Sequence, residues 1–385
     1  MRVGEGSYRT IWSDQGRIRI IDQTVLPHEF RVIEVPDLVA MAHAIRSMQV
    51  RGAPLIGAAA AYGVALAMRR NPSDAKLDAA ADLLIETRPT AVNLRWALER
   101  MRARLRGTPT TERATLALAE AERIADEDVA ANRRIGEHAL PILQELHERL
   151  GRRAGGRVNR PLNLLTHCNA GWLATVDHGT ATAGMYAAHD VGLPLHVWVD
   201  ETRPRGQGAR LTAWELGQHG VPHTVVPDTA AAHLMARGDV DAVIVGTDRT
   251  TAGGDVVNKI GTLSVALAAQ AHEVPFYVAA PGSSLDFDLD SGTEVPIEER
   301  AGREVSEVSG RTSEGRLETV RVVPDGSAVR NWAFDVTPAG LVTAIITERG
   351  VAPATRRGLA SLYPERATPA GDRSVGPEPA DPSGS

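Results

Sequence analysis

The only cysteine, Cys168, closes the run Pro161-Leu-Asn-Leu-Leu-Thr-His-Cys-Asn-Ala-Gly171. Two later apolar runs, Leu195-His-Val-Trp-Val199 and Ala242-Val-Ile-Val245, are closed by Asp200-Glu-Thr-Arg-Pro204 and by Gly246-Thr-Asp-Arg249. Each run is a buried-strand signal, and each reactive side chain follows where a strand stops. In an open parallel sheet, ligands collect outside the carboxyl ends of the strands, so this placement offers one substrate a thiol and a carboxylic acid. A carboxylate at such an end is partly desolvated, which raises its pKa and suits Asp248 to donate a proton near neutrality. The alternative for Asp248 is a helix cap or a salt bridge to Arg249; for Cys168 it is a small buried hydrophobe.

Three further segments have the makings of an anion grip. Gln49-Val-Arg-Gly-Ala-Pro54 breaks one helical pattern and leads into an alanine-rich one, so the amides of Gly52 and Ala53 lie near a helix start beside Arg51. Arg95 sits in the first turn of the next predicted helix, where a cation opposes the helix dipole unless an anion binds there; a solvated arginine is the alternative. Gly253-Gly-Asp-Val-Val-Asn-Lys-Ile-Gly261 reads as a flexible loop entering a helix, with Asn258 and Lys259 as a phosphate or polyol grip.

These segments need a scaffold. Residues 10–12, 17–21 and 30–35 read as short strands of a small sheet. Pro36-Asp37 opens a helix with Leu38, Met41, Ile45 and Met48 on one face, and helices follow over 53–68, 74–87 and 94–106. Residues 111–150 form one long helical pattern with a polar middle, a connector that ends in the glycine- and arginine-rich loop 151–160. From Pro161 the rhythm becomes strand, turn, helix: strands at 162–166, 195–199, 223–226, 242–245 and 276–280, with helices at 181–190, 209–219, 230–237 and within 258–271. That alternation implies parallel crossovers with helices on both faces. The expected class is α/β: a Rossmann-like parallel-sheet C-terminal domain preceded by a smaller, mainly helical N-terminal domain with a short β-sheet. The expected boundaries are 1–125 for the N-terminal domain, 126–160 for connector and loop, 161–355 for the catalytic domain and 364–385 for a disordered tail, which lacks an apolar period.

Composition narrows the function. The chain has 385 residues and a formal net charge of −6, which gives no bulk reason to expect nucleic acid or an anionic membrane as partner. One cysteine excludes an internal disulfide and a multi-cysteine metal site, and with no signal peptide at the start a cytoplasmic location is expected. The alanine-rich stretch falls short of the roughly 20 apolar residues of a membrane span. No G-x-G-x-x-G follows a strand and no H-E-x-x-H occurs, so neither a dinucleotide nor that metal motif is supported.

Arg51-Gly-Ala-Pro-Leu-Ile-Gly57, Thr166-His-Cys-Asn-Ala-Gly171, Glu201-Thr-Arg-Pro-Arg-Gly-Gln-Gly-Ala-Arg-Leu-Thr-Ala-Trp-Glu-Leu216, Gly246-Thr-Asp-Arg249, Gly254-Asp-Val-Val-Asn-Lys-Ile-Gly261 and Pro275-Phe-Tyr-Val-Ala-Ala-Pro281 together resemble the methylthioribose-1-phosphate isomerase family. That family shares a superfamily with the regulatory subunits of initiation factor 2B. The resemblance runs in order from about Ile11 to Gly350. It implies aldose–ketose isomerisation of 5-methylthioribose 1-phosphate in methionine salvage, with no metal and no other cofactor, by a homodimer. It places Cys168 at the reacting carbons, Asp248 as proton donor, and Arg51, Gly52, Ala53, Arg95, Gln207, Asn258 and Lys259 on the substrate. Two other readings stand beside it: isomerisation of another 5-modified pentose 1-phosphate, such as 5-deoxyribose 1-phosphate or ribose 1,5-bisphosphate, and a non-catalytic regulatory protein of the initiation-factor type. Thr247 and Trp332 stand where the family often has alanine and proline, which bears on substrate choice more than on reaction type.

Overall fold

The computed structural model describes residues 1–88, 91–153 and 160–366. The expected tail beyond residue 366 and most of the loop 151–160 lie outside these residues.

A two-residue pair, β1 (Arg2–Val3) and β2 (Gly6–Ser7), precedes an antiparallel meander of β3 (Ile11–Asp14), β4 (Arg17–Ile21) and β5 (Val32–Val35). Helices α1 (Leu38–Arg46), α2 (Ala53–Arg70), α3 (Asp74–Ile85), α4 (Val92–Leu105) and α5 (Thr110–Arg153) follow. Asp37 caps α1 by accepting the Ala40 N–H at 2.9 Å. The helix stops at Arg46, short of the predicted face, because Met48 takes a left-handed φ of 64° that no helix continues. Every residue of α2 from Ala53 to Met68 is buried, so the alanine-rich stretch is the centre of the first hydrophobic cluster. Small side chains let α3, α4 and α5 close around it.

The second half is a seven-stranded sheet in the order β18-β17-β12-β9-β6-β7-β8. Its elements are β6 (Leu162–Thr166), α6 (Ala181–Asp190), β7 (Leu195–Asp200), α7 (Ala213–His219), β8 (His223–Val226), α8 (Ala230–Ala236) and β9 (Ala242–Val245). They continue, after a hairpin of β10 (Arg249–Thr251) and β11 (Val256–Lys259), with α9 (Thr262–Ala271) and β12 (Phe276–Ala279). Further on come β13 (Leu285–Asp286), α10 (Arg303–Ser306), the exposed hairpin β14 (Glu307–Arg311) and β15 (Leu317–Arg321), β16 (Phe334–Thr337), β17 (Ala344–Thr347), β18 (Gly350–Ala352) and α11 (Arg356–Leu362). Neighbouring strands of the large sheet are parallel except β17 and β18. From β6 the chain runs outward through β7 and β8, then returns to β9 on the other side and runs through β12 and β17. The gap between β6 and β9 is therefore the topological switch point.

Helix α5 is one continuous element that serves both cores. Ala117, Ala121, Ile124 and Ala125 pack in the first cluster, whereas Ile135, Ala139 and Leu143 pack against the large sheet. The sheet-side half crosses α6 closely: a Cβ on Gly184 would lie 2.6 Å from that of Ala139, and one on Gly136 would lie 2.9 Å from the Ala183 carbonyl oxygen. The expected boundary between residues 125 and 126 falls inside this helix.

Candidate active site

The switch point does what strand-end reasoning expects. Cys168 follows β6 and Asp248 follows β9, two adjacent parallel strands, and both side chains line one cleft of about 640 Å3, part of it open to solvent. Facing them across the cleft is the start of α2, with Arg51, Gly52, Ala53 and Pro54 in the wall. Gly52, the N-cap of α2, has a φ of 101°, and a Cβ there would sit 2.4 Å from the Ala174 carbonyl oxygen. Only glycine brings the helix start this near to the segment that follows Cys168.

Asn258 and Lys259 reach the cleft by a route different from the expected loop. They end β11, which pairs antiparallel with β10 and β16; α9 begins only at Thr262 because Gly261 turns the chain at a φ of 106°. The apolar pair Val256-Val257 is the signal for this strand, masked in the sequence by the flanking glycines. The hairpin is a return path: it leaves β9, turns at Gly253-Gly254, and comes back beside Asp248, whose N–H donates to the Val257 carbonyl oxygen at 3.0 Å.

Of the expected residues, Cys168, Asp248, Arg51, Gly52, Ala53, Gln207, Asn258 and Lys259 all line the cleft. Arg95 does not. It is exposed on α4, where Asn93 points inward to donate to the Ser283 hydroxyl at 2.8 Å. Its guanidinium lies outside the cleft wall, near enough to Arg249 to repel that cation. Arg88 and Arg300 line the cleft instead. Neither was expected, since Arg88 lies in a helix breaker and Arg300 in a charged stretch without strand periodicity. Glu298 joins them, 3.6 Å from Arg88 and 3.0 Å from Arg300. Thr247 also lines the cleft, whereas Trp332 is exposed, with the Arg330 guanidinium 5.1 Å from its ring centroid, and takes no part in the wall.

The electrostatics are lopsided. Arg51, Arg88, Lys259 and Arg300 line the cleft with Asp248 as the one acid in the lining, and Glu298, outside that lining, pairs with Arg88 and Arg300. Burial lifts the Asp248 carboxyl above the ordinary carboxylate range, against the pull of Lys259, Arg88, Arg300 and Arg51. Burial also raises the Cys168 thiol, opposed by Arg51 and Lys259, and lowers the Lys259 ammonium to about 8. The acid and the thiol are thus both held toward their neutral forms, beside cations suited to an anion. The Lys259 ammonium also lies 4.9 Å from the ring centroid of Phe334.

Behind the thiol the polar groups are satisfied from several elements. The Cys168 N–H donates to the Thr202 hydroxyl at 2.8 Å, and the Thr212 hydroxyl donates to the Cys168 carbonyl at 2.8 Å. Cys168 has a φ of 68° and Thr202 one of 64°, non-glycine residues in the left-handed region, where functional sites concentrate strain. His167, fully buried, has Nδ1 3.0 Å from Asp200 and Nε2 2.9 Å from the Ile260 carbonyl oxygen. Burial would lower its pKa, but the bond to Asp200 leaves it raised. The imidazole thereby ties the end of β6 to the end of β11. His167, Asp200 and Asp228 form a tight group, yet Asp228 is engaged by the N–H groups of Thr202 and Arg203 at 2.6 and 2.7 Å.

The fold and the site define a Rossmann-like α/β chain of the initiation factor 2 subunit family, whose model matches residues 49–354. The chain belongs to that family. Within it, the similarity is to methylthioribose-1-phosphate isomerases: it is 60% identical over 370 residues to the one from Rhodospirillum rubrum, covering 95% of this chain and 94% of that protein. Among solved structures, 5-methylthioribose 1-phosphate isomerase from Pyrococcus horikoshii superposes with a TM-score of 0.79 at 42% identity, covering 93% and 96% of the two chains. A chain from A. fulgidus described as the delta subunit of translation initiation factor eIF-2B superposes with a TM-score of 0.76 at 40% identity, covering 93% and 100%.

Proposed function

We propose that this chain is an aldose–ketose isomerase that converts 5-methylthioribose 1-phosphate to 5-methylthioribulose 1-phosphate, in methionine salvage. The observation that carries the reading is the joint placement of Cys168 and Asp248 at the ends of β6 and β9, in one cleft whose other ionisable residues are cations. The isomerases at 60% and 42% identity support the substrate.

A phosphate on C1 blocks the free hemiacetal through which simpler sugars open, so ring opening needs acid help. The raised carboxyl of Asp248 protonates the ring oxygen as its bond to C1 breaks. The electron-poor C1 then takes the hydrogen of C2 with its electron pair, and the C2 hydroxyl becomes the ketone as its proton passes to the Asp248 carboxylate, which restores the acid. Cys168, a thiol kept protonated by burial, packs at the reacting carbons and excludes water rather than serving as a base. Arg51 and the amides at the start of α2 hold the phosphate, with Gln207, Asn258 and Lys259 on the sugar and phosphate oxygens. Met48, Pro54, Ala170, Ala174 and Phe334 supply apolar wall for an uncharged C5 substituent.

The test compares 5-methylthioribose 1-phosphate, 5-deoxyribose 1-phosphate and ribose 1,5-bisphosphate in D2O, following the ketose by NMR. The expected order of kcat/KM is methylthio above methyl, with the bisphosphate lower by about 10²-fold because the C5 wall is apolar and Arg88 and Arg300 are already paired with Glu298, and the product carries no solvent deuterium at C1. A bisphosphate preference would overturn the substrate assignment, and deuterium at C1 would make Cys168 or another group a base.

A further inference from the structure

Arg51 does not stand free in the cleft wall. Its two terminal nitrogens donate to the Asn169 carbonyl oxygen at 3.2 and 2.8 Å, and one of them also donates to the Asn169 side-chain oxygen. The orientation of Asn169 therefore decides where the guanidinium points. Asn169 is in turn held from below: its amide nitrogen donates to the Thr212 hydroxyl at 3.1 Å and to Glu215 Oε1 at 3.2 Å. Glu215 is wholly buried and also accepts from the Leu173 N–H at 2.7 Å and the Tyr186 hydroxyl at 3.3 Å.

The backbone is shaped around this carboxylate. A π-helical turn, Gly208–Thr212, leads into α7 and puts Thr212 and Glu215 three residues apart, so both face the Cys168-Asn169 turn. A Cβ on Gly171 would lie 1.5 Å from Glu215 Oε2, so the carboxylate fills the space that residue 171 leaves empty. Burying a carboxylate is costly unless donors converge on it, and here three do. Nothing in the proposed chemistry uses Glu215, which is not among the residues lining the cleft.

We infer that Glu215 is a positioning residue for the anion site: through Asn169 it fixes the Arg51 guanidinium in the orientation that receives the substrate phosphate. This rests on reading the Arg51 wall as that anion site. With the orientation lost, binding weakens while the distance between Asp248 and the ring oxygen is governed by other contacts, so the loss falls on KM rather than kcat.

Two substitutions separate the hydrogen bonds from bulk. In Glu215→Gln the amide oxygen still accepts from Leu173 and Asn169, and the amide nitrogen faces the Tyr186 hydroxyl, which can accept. In Glu215→Met the volume stays and the acceptors go. Inorganic phosphate binding is measured by calorimetry on the full chain, alongside kcat and KM for 5-methylthioribose 1-phosphate, with thermal melts confirming the fold. Glu215→Gln is expected to keep phosphate affinity and KM within about threefold; Glu215→Met is expected to weaken phosphate and raise KM by about tenfold or more, with kcat changed less than about threefold. Asn169→Ala, which leaves Glu215 intact, is expected to weaken phosphate similarly, and adding Glu215→Met to it to cost less than about threefold more.

A folded Glu215→Met chain with wild-type phosphate affinity would overturn the inference; if that variant does not fold, wild-type affinity in Asn169→Ala would do so alone. The titration does not depend on turnover. A wild type that binds phosphate, shows the expected losses in the variants and converts no sugar would leave the positioning role standing and remove the isomerase reading. A wild type that does not bind phosphate would remove both the anion site and the role of Glu215.

Discussion

Lys259 brings to the cleft a charge that is lost just above neutrality. A lysine is charged below its pKa, and burial brings this one down to about 8. Attraction for a phosphate is therefore full well below pH 8 and weakens as the pH rises through it, so KM for the sugar phosphate is expected to climb between about pH 7.5 and 9. Lys259→Arg, whose guanidinium does not titrate there, is expected to flatten that rise, since an arginine stays charged to above about pH 12. A KM that stays level to pH 9 in the wild type would mean that the ammonium does not hold the anion. Asp248 shifts in the opposite sense: its proton is needed for donation, its pKa is raised, and kcat should fall only as the pH passes above that raised value. Asp248 is legible in the sequence because it follows a strong apolar strand, and Lys259 is legible only as part of a glycine-flanked polar run, not from the strand it ends. Arg88 and Arg300 were not, because a residue in a breaker or an irregular charged stretch carries no period from which its direction can be read. Arg95 shows the converse. Its place in a first turn was read correctly, but the turn number does not say which way a side chain faces.

Among elements, the start of α2 is the most demanding. Gly52 combines a positive φ with a backbone contact that no side chain can share. Gly52→Ala is expected to lower the unfolding free energy by about 2–4 kcal/mol in denaturant titrations and to raise KM as the helix start moves off Ala174. Stability and KM both at wild-type values would show that the approach of α2 to the Cys168 segment is not fixed at this glycine. The sequence carried the helices and parallel strands well because their apolar periods are strong: β6, β8, β9 and α6 fall on the expected residues. It carried the β10–β11 hairpin poorly. Val256-Val257 is too short a run to outweigh Gly253, Gly254 and Gly261, and its partners, Arg249–Thr251 and Phe334–Thr337, are set by long-range pairing. Strand identity there comes from the partner, not from the local pattern.

At the scale of the molecule, the cleft exists because two hydrophobic cores are held against one another. The first is built on α2 and the second on the large sheet, with α5 embedded in both. Ile11, Ile18, Ile20 and Val35 of the early sheet pack in the first core, whereas Ile21 and Leu26 pack in the second, so this region also bridges the two. Alternation of strand and helix predicts the Rossmann-like layer; it does not reveal that the order β8-β7-β6-β9-β12-β17 places Cys168 and Asp248 side by side, because neighbours in a sheet need not be neighbours in sequence. Among the described residues, no helix is long and apolar enough to cross a membrane. In the proposed function, this switch point isomerises a pentose 1-phosphate with Asp248 as acid and Cys168 at the reacting carbons. The most direct measurement is turnover of 5-methylthioribose 1-phosphate by the wild type, Cys168→Ser and Asp248→Asn, followed by NMR appearance of the ketose. The wild type is expected to convert the sugar, and kcat to fall by about 10²-fold or more in each folded variant. Wild-type conversion that survives in Asp248→Asn, or no conversion by the wild type at all, would contradict it.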